Sequence, residues 1–229
     1  MSLSEIVAVV PVRAGSKGLP NKNIMEFNGL PLYMRTVYQA LRITNKVLIS
    51  TDIDEIIKRK PPKGCLVDKR PKNLAKDDVK MSSVLSYIIK KHNLNNKVIL
   101  LLQATSPLRS DQDILSAIEL FKTKKYDLVF TVKEQKNEVL KYGIIKNNSY
   151  HPLSHSKFLF ENRQYLPIVY GHNGAVYIFS ANDFLKNNNF PNNNIGSILM
   201  SSKRSIDIDN LKGFMEAENI LIKSNKKDF

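Results

Sequence analysis

The segment IVAVVPVRAGSKGLPNKNI, residues 6–24, joins an uninterrupted apolar run to a basic loop that contains two glycines. The run, Ile6–Pro11, is short and continuous, which is typical of a strand covered on both faces of a sheet. In the loop, Gly15 and Gly18 permit close approach of the backbone, so main-chain N–H groups can surround an anion. Open α/β sheets bind ligands at the carboxyl ends of their strands, so this segment predicts an α/β protein that holds phosphates there.

The loop also carries the cations Arg13, Lys17 and Lys22, spaced so that several can converge on one triphosphate. It is not a Walker A loop, because GxxxxGK[ST] is absent, and it lacks the GxGxxG of dinucleotide-binding loops. The alternative is a surface turn that carries basic side chains and binds nothing. The combination of glycines and cations favours a nucleotide-phosphate loop of another type.

Outward from this segment, strand-like and helix-like runs alternate, which is typical of βαβ units around a mostly parallel sheet. The sequence predicts strands at Ile6–Pro11, Val47–Thr51, Val98–Leu102, Asp127–Val132, Ala175–Phe179, Ile198–Met200 and Ser205–Ile208. It predicts helices at Pro31–Arg42, at Met81–His92, after an N-cap at Ser110, and at Leu211–Ile222 after a cap at Asn210. In the last helix, the residues expected to face inward are Leu211, Phe214, Ala217 and Leu221.

The region 133–170 interrupts this alternation. It is polar, has short pieces of two-residue period and contains no run long enough for a helix of several turns. We interpret residues 1–229 as one domain, with 133–170 as a projecting insertion of the kind that forms oligomer contacts.

Composition sets limits on function. The formal net charge is +14, but the lysines are scattered rather than gathered on one predicted face with stacking aromatics. General solvation and compositional bias therefore explain the charge best, attraction of polyanionic substrates comes second, and a nucleic-acid-binding module is the alternative from a different class. Cys65 is the only cysteine, which excludes disulfides within the chain and cysteine-based zinc clusters. With no long apolar run and no secretory pattern at the N-terminus, we expect a cytoplasmic protein with no membrane partner.

A second polar cluster, QATSPLR at residues 103–109, directly follows the predicted strand Val98–Leu102. Its side chains are expected to face the same crevice as the first loop. Arg109 is able to bind a carboxylate or phosphate through two parallel hydrogen bonds. The alternative is that Thr105-Ser106-Pro107 is only a turn before a capped helix.

A third cluster, Asp207-Ile208-Asp209, lies at the end of the last predicted strand. Alternation along a strand places both carboxylates on one face. Such carboxylates repel each other unless a cation lies between them, and hard oxygen ligands suit Mg²⁺. The alternative is capping of the following helix, which suits Asp209 better than Asp207.

Together these motifs resemble the CMP-sialic acid synthetases (acylneuraminate cytidylyltransferases), including the enzymes for legionaminic and pseudaminic acids. The matching segments occur in order along the chain: RAGSKGLPNKN at 13–23, RPKNLAKD at 70–77, QATSPLR at 103–109, NGAVYI at 173–178 and DID at 207–209. Two positions depart from the family pattern: Ala14 replaces a common glycine, and Ala104 replaces a frequent proline.

The resemblance implies a Rossmann-like three-layer nucleotidyltransferase fold with a small dimerisation insertion, and it assigns roles to particular residues. Those implied to contact CTP are Arg13, Ser16, Lys17, Lys22, Asn23, Arg70 and Ser82, with Ser83 as the alternative to Ser82. Those implied to lie near an acidic sugar are Gln103, Arg109, Arg163, Gln164, Tyr170 and Asn173. Asp207 and Asp209 are implied to bind Mg²⁺, and the groups implied to act in catalysis are Arg13, Lys17 and Asp207.

The implied reaction is attack of the anomeric hydroxyl of a nine-carbon acidic sugar on the α-phosphorus of CTP, with loss of pyrophosphate. N-acetylneuraminic acid is the first choice of sugar, and legionaminic and pseudaminic acids are the alternatives. An enzyme for an eight-carbon acidic sugar shares the fold, but its loops agree less well with residues 15–23 and 103–109. The resemblance also implies a homodimer that binds no nucleic acid.

Overall fold

The computed structural model describes residues 5–15 and 18–225. The predicted phosphate ligands Ser16 and Lys17 therefore lie outside the described residues. The strands are β1 (Ile6–Val12), β2 (Glu26–Phe27), β3 (Leu30–Pro31), β4 (Val47–Thr51), β5 (Cys65–Lys69), β6 (Val98–Leu102), β7 (Leu128–Gln135), β8 (Gly143–Lys146), β9 (Ser149–Pro152), β10 (Val169–Ser180) and β11 (Ile195–Leu199). The α-helices are α1 (Leu32–Ile43), α2 (Asp54–Lys58), α3 (Met81–Lys91), α4 (Asp111–Lys122), α5 (Ala181–Asn187) and α6 (Leu211–Asn225). None of the helices in these ranges is long and apolar enough to cross a bilayer.

The main sheet has seven strands in the order β11-β7-β10-β6-β1-β4-β5. Strand β10 runs antiparallel to its neighbours β6 and β7, and the other pairings in this sheet are parallel. Strand β1 lies near the middle, where Val9 is in register with Leu48 on one side and Leu101 on the other. The predicted α/β fold with a mostly parallel sheet is confirmed.

Strand β1 is apolar along its whole length because both of its faces are buried. Ala8 and Val10 point into the core beneath α1 and α4, whereas Val7 and Val9 point into the core beneath α3 and α5. Burial of an aliphatic side chain contributes about 1.5–3 kcal/mol, so β1 is tied firmly to both helical layers. This layering gives the three-layer architecture and fixes the strand end that leads into the basic loop.

The predicted helix ends agree closely with the structure where a cap defines them. At the start of α4, the Ser110 hydroxyl accepts from the Asp113 N–H, and the Asp113 carboxylate accepts from the Ser110 N–H at 2.8 Å. At the start of α6, the Asn210 side-chain oxygen accepts from the Gly213 N–H at 2.9 Å, which confirms the predicted cap.

The inward face of α6 was predicted correctly except at its first residue. Phe214 and Ala217 are buried against Phe27, but Leu211 is 53% exposed, so the inward placement of Leu211 is wrong. At 100° per residue, Leu211 lies about 90° from the centre of the buried face, which puts it at the edge of the helix facing solvent.

The prediction of a strand at Ser205–Ile208 is also wrong. Ser202–Ser205 forms a 3₁₀ turn, and β11 ends at Leu199, one residue before the predicted end of the preceding strand. Ile208 donates a backbone hydrogen bond to the Thr105 carbonyl at 2.8 Å. Within the part of the chain that the structure describes, the segment 206–208 pairs with no strand, and the sheet position beside β7 is occupied by β11.

The insertion region contains extended strands and a hairpin. Strands β7 and β10 pair beyond the main layer as far as Gln135 and Val169, and between them β8 and β9 form a hairpin. Asn147 and Asn148 both have positive φ at its turn, as a tight two-residue hairpin requires. The segment 136–168 contains no α-helix, as expected from the lack of a helix-length apolar pattern in this part of the sequence.

Candidate active site

A cleft of about 160 Å³ opens at the carboxyl ends of β1, β5 and β6. It brings together residues from the basic loop, the start of α3, the turn after β6 and the extended segment before α6. Its lining residues are Pro11, Arg13, Lys22, Asn23, Arg70, Met81, Gln103, Ala104, Thr105, Asp207 and Asp209. Seven of the predicted site residues therefore meet in one place.

The basic loop is held tightly against the segment that carries the paired carboxylates. Gly15 has φ +69°, and a Cβ placed on Gly18 would lie 2.1 Å from the Asp209 carbonyl oxygen. The Ala14 N–H donates to the Asp52 carboxylate at 2.8 Å, and the Asn23 side-chain amide donates to the Arg13 carbonyl at 2.9 Å. Glycine is thus required at position 18 by the close approach of two backbones.

The two cations of the loop that the structure describes have different surroundings. Arg13 forms an ion pair with Asp77, and both side chains are about one-third exposed, at 33% and 35%. Lys22 is buried and donates to the Ile208 carbonyl and to the Asp209 carboxylate, the latter at 3.1 Å. Arg13 is thus accessible to a ligand, whereas Lys22 links the loop to the carboxylate segment.

Arg70 is almost completely buried at the back of the cleft, with 3% of the residue exposed. Its Nε donates to the Ser50 hydroxyl at 3.3 Å and its Nη2 donates to the Ser50 carbonyl at 2.9 Å. Burial lowers the pKa of its guanidinium; the charge of Asp52 opposes this shift, and the nearby charge of Arg13 adds to it. A phosphate or another anion in the cleft would offset the repulsion between the two arginines.

Asp207 and Asp209 point into the cleft although they do not belong to a strand. Ile208 between them is fully buried and packs with Phe27 and Phe214, which turns the two carboxylates toward the opposite side. The predicted placement on one face is correct, and burial of the central isoleucine, rather than strand pairing, produces it.

The surroundings of the carboxylate pair favour a cation between them. Removal from water raises the pKa of the Asp207 carboxyl; a hydrogen bond from Thr105 opposes this shift, and the charge of Asp209 adds to it. Among the described residues, no group of three or more His, Cys, Asp or Glu side chains is placed to hold a metal ion. Two carboxylates that need phosphate oxygens and water to complete the coordination fit Mg²⁺, which is usually bound this way.

Arg109 lies outside the cleft, so its assignment as a sugar ligand needs correction. It is 3% exposed, and its Nη1 donates to the carbonyls of Gln103, Ser106 and Ala175 at 2.7, 3.0 and 3.3 Å. Its Nη2 donates to the Thr36 hydroxyl at 2.7 Å. Full burial lowers the pKa of Arg109 to about 9. Its guanidinium holds the 103–109 turn together rather than binding a substrate.

Asn173 likewise belongs to the framework and not to the cleft surface. Its side-chain oxygen accepts from the Thr131 hydroxyl at 2.6 Å, and its amide nitrogen donates to the Ser205 hydroxyl at 2.9 Å and lies 3.3 Å from the Met200 sulfur. It is buried where the pairing of β10 with β7 changes register. Asn173 therefore ties β10 to the segment that leads to Asp207, and its prediction as a sugar contact is not supported by this placement.

Two of the three remaining predicted sugar ligands lie at a second cleft on the insertion. Arg163 and Gln164 line this cleft of about 720 Å³ with residues of the extended β7 strand, and Arg163 pairs with Glu138 at 3.1 Å. Tyr170 is half exposed on β10 opposite Glu134 and does not line either of these two clefts. The structure therefore does not bring these three residues together with Gln103.

The first turn of α3 reaches the first cleft through Met81, while Ser82 is partly buried and Ser83 is exposed. No side chain caps this helix at Lys80. The amino-terminal end of the helix, with its partial positive charge, is thus directed toward the region beside Arg70.

Sequence reasoning did not assign roles to four residues around the cleft. Asp52 and Asp77 hold the basic loop, Thr105 donates to Asp207, and Lys133 lies close enough to lower the pKa of Asp207. Two of these residues could have been noticed in the sequence. Asp52 directly follows a buried strand, and Asp77 is the last residue of the RPKNLAKD motif.

The match to known proteins agrees with this geometry. A family model described as cytidylyltransferase matches residues 7–212. The chain belongs to the cytidylyltransferase family. This match includes the basic loop, the QATSPLR turn and both carboxylates, so the family resemblance predicted from the sequence is confirmed.

Individual relatives cover the chain to different extents. It is 30% identical to the post-translational flagellin modification protein B of Campylobacter coli, over 99% of this chain and 100% of that protein. It is 30% identical to the CMP-N,N'-diacetyllegionaminic acid synthase of Legionella pneumophila, over 89% and 90%. It is 28% identical to the N-acylneuraminate cytidylyltransferase of Escherichia coli over 98% of this chain, and it spans 54% of the length of that relative.

A solved structure of a CMP:2-keto-3-deoxy-manno-octonic acid synthetase complexed with CTP has the same fold. It superimposes with a TM-score of 0.69 over 96% of this cytidylyltransferase and 100% of the other chain. Only 13% of the aligned residues are identical, so this similarity supports the predicted Rossmann-like α/β fold alone.

Proposed function

We propose that this cytidylyltransferase couples CTP to a nonulosonic acid and releases pyrophosphate. The observation that carries the proposal is the contact between the basic loop and the carboxylate segment, where Gly18 leaves no space for a Cβ beside Asp209. A phosphate-binding loop and a cation-binding pair at this separation suit a nucleoside triphosphate whose phosphates contact both.

The loop is proposed to bind the triphosphate. Arg13 is partly exposed at the cleft and is the described cation best placed to reach phosphate oxygens, while Lys22 and Asn23 fix the shape of the loop. Ser16 and Lys17 are proposed as further phosphate ligands on the basis of the motif. Charge developing on the departing pyrophosphate would be stabilised by Arg13 and Lys17.

The nucleoside is proposed to lie between Arg70 and the first turn of α3. Arg70 is held rigidly by Ser50, and Met81 provides an apolar contact surface beside it. Ser82, in the same turn, is the proposed polar contact. Because this part of the cleft is formed by rigid elements, it can position the α-phosphorus with little motion.

Asp207 and Asp209 are proposed to hold Mg²⁺, which when bound would neutralise phosphate charge and lower the pKa of a nearby hydroxyl. Thr105 orients the Asp207 carboxylate, and Lys22 orients that of Asp209. The two side chains would thus provide a pair of oxygen ligands within the cleft.

The acidic sugar is proposed to enter beside Gln103 and extend toward the second cleft. Lys133 acts on the charge of Asp207 in the first cleft and directly precedes Glu134, which lines the second. This position of Lys133 supports a path from the first cleft toward the second, along which Arg163 and Gln164 would meet the far end of the sugar. N-acetylneuraminic acid is the first candidate; a legionaminic acid is the second, because a legionaminic acid synthase is among the relatives that match over most of their length.

A homodimer is proposed to form through the insertion. This region exposes large apolar side chains, as a surface that is covered in solution would. They include Tyr142 (58%), Ile145 (75%), Leu153 (69%), Phe160 (94%) and Tyr165 (70%). Light scattering after size exclusion tests this directly: a dimer mass is expected, and a monomer at micromolar concentration would contradict it.

A cytoplasmic location remains a prediction.

The test of the proposed function is pyrophosphate release from CTP with N-acetylneuraminic, legionaminic and pseudaminic acids and one eight-carbon acid, with Mg²⁺ and with excess EDTA. Release with a nine-carbon acid, lost in EDTA, is expected. In parallel with the pyrophosphate assay, binding to DNA and RNA is measured over a range of salt concentrations. Strong nucleic-acid binding with no release on any sugar would favour the nucleic-acid-binding alternative instead.

A further inference from the structure

A buried polar network lies behind Arg70, on the side away from the cleft. Its centre is Asp68 on β5, whose side chain is completely buried. One Asp68 carboxylate oxygen is 2.7 Å from the Lys91 ammonium and 2.9 Å from His92 Nε2. Both partners lie at the carboxyl-terminal end of α3, the helix whose first residue, Met81, lines the cleft.

The other Asp68 oxygen connects this network to the cleft through Ser50. The Ser50 hydroxyl is 3.5 Å from Asp68 Oδ2 and accepts from Arg70 Nε at 3.3 Å. An arginine Nε–H can only donate and a carboxylate can only accept. The single hydroxyl proton of Ser50 must therefore point to Asp68, which gives one fixed direction to the chain Arg70, Ser50, Asp68.

Arg70 needs such support because it is a buried cation close to a second cation. Its pKa is lowered mainly by burial, with a further contribution from Arg13, and the charges of Asp52 and Asp68 oppose these effects. Asp68 on β5 is in register with Ser50 on β4, so the backbone fixes the separation between these two residues. The carboxylate is thus built into the sheet at a position from which it can orient Arg70.

We propose that Asp68, acting through the Ser50 hydroxyl, is a positioning residue that holds the Arg70 guanidinium toward the nucleotide in the cleft. His92 and Lys91 fix the Asp68 carboxylate, so the same network anchors both Arg70 and α3. The inference rests on the proposed function, because it assumes that Arg70 contacts CTP. Neither Ser50 nor Asp68 lines the cleft, so both would act through Arg70 and not by contact with the substrate.

The test is a double-mutant cycle between Ser50→Ala and Arg70→Lys, with KM for CTP and kcat measured by pyrophosphate release. Because Arg70 is expected to contact ground state and transition state alike, Ser50→Ala should raise KM about fivefold and change kcat by less than about twofold. In the Arg70→Lys background the same change should have an effect of less than about twofold, since coupled residues are not additive. A KM unchanged by Ser50→Ala, or a full fivefold effect in both backgrounds, would overturn the proposal.

Two further variants separate positioning from general destabilisation. Ser86→Ala removes a hydroxyl from α3 that faces Asn188 and not this network, and it should leave KM unchanged. Asp68→Asn keeps the shape but removes the charge, and it should raise KM by at least as much as Ser50→Ala. If Asp68→Asn does not fold, the cycle with Ser50→Ala still decides the question.

Calorimetric titration with CTP alone distinguishes a failure of this inference from a failure of the proposed function. If wild type binds CTP but turns over no sugar, weaker CTP binding by Ser50→Ala than by Ser86→Ala still supports the positioning role. Equal binding by both variants overturns it. A wild-type protein that binds no CTP contradicts both the inference and the proposed function.

Discussion

Replacement of Gly18 by alanine tests the contact on which the proposed function rests. The new Cβ would lie 2.1 Å from the Asp209 carbonyl oxygen, whereas real Cβ atoms do not approach other atoms closer than 3.0 Å. The loop and the carboxylate segment must therefore separate by at least the difference, 0.9 Å. A displacement of about 1 Å in a catalytic arrangement can lower the rate about 100-fold, which corresponds to about 2.7 kcal/mol of transition-state stabilisation.

The assay is steady-state pyrophosphate release with saturating CTP, Mg²⁺ and the best sugar. Gly213→Ala is the matched control, because its Cβ would meet no atom closer than 3.6 Å and helix α6 should tolerate it. The control should keep wild-type turnover, and thermal unfolding should show that Gly18→Ala remains folded. Wild-type turnover in folded Gly18→Ala would refute the idea that the loop and the carboxylate pair act across this contact.

Three other substitutions distinguish catalytic from structural residues. Asp207→Asn should remove nearly all turnover in a folded protein. Because the folded pKa of Asp207 is raised, the stability of the wild type relative to the variant should fall as pH rises through that pKa, and chemical denaturation of both proteins at several pH values would measure this difference. Asn173→Ala should lower the free energy of unfolding by about 2 kcal/mol, because it removes the acceptor of the buried Thr131 hydroxyl and a donor to the Ser205 hydroxyl. A urea titration that shows unchanged stability would contradict this. Phe160→Ser should shift light scattering toward monomer without loss of fold, and an unchanged mass would exclude this residue from a dimer interface.

Elements whose sequence pattern matched their burial were predictable. Strand β1 is apolar because both faces are buried, and α4 begins where its capping box requires. Strand β5 was missed: it follows a proline-rich turn and includes the buried charge of Asp68, which a hydrophobicity pattern treats as loop. The reversed direction of β10 could not be inferred either, because direction depends on pairing and not on local composition.

The site residues, like the elements of the fold, were predictable only in part. The motifs correctly indicated that Arg13, Gln103 and the carboxylate pair face one cleft. They did not reveal that the side chains of Arg109 and Asn173 form their hydrogen bonds with other protein groups. A motif marks a residue as important, but it does not specify whether the residue binds substrate or supports the fold. Only the packing around each side chain separates these roles.

The most direct test of the account is identification of the products formed from CTP and the preferred nine-carbon acid by ³¹P NMR and mass spectrometry. In-line attack on the α-phosphorus predicts one CMP-sugar and one pyrophosphate for each CTP consumed, with formation abolished by EDTA. Formation of CDP and phosphate, or no consumption of CTP with any acidic sugar, would contradict it.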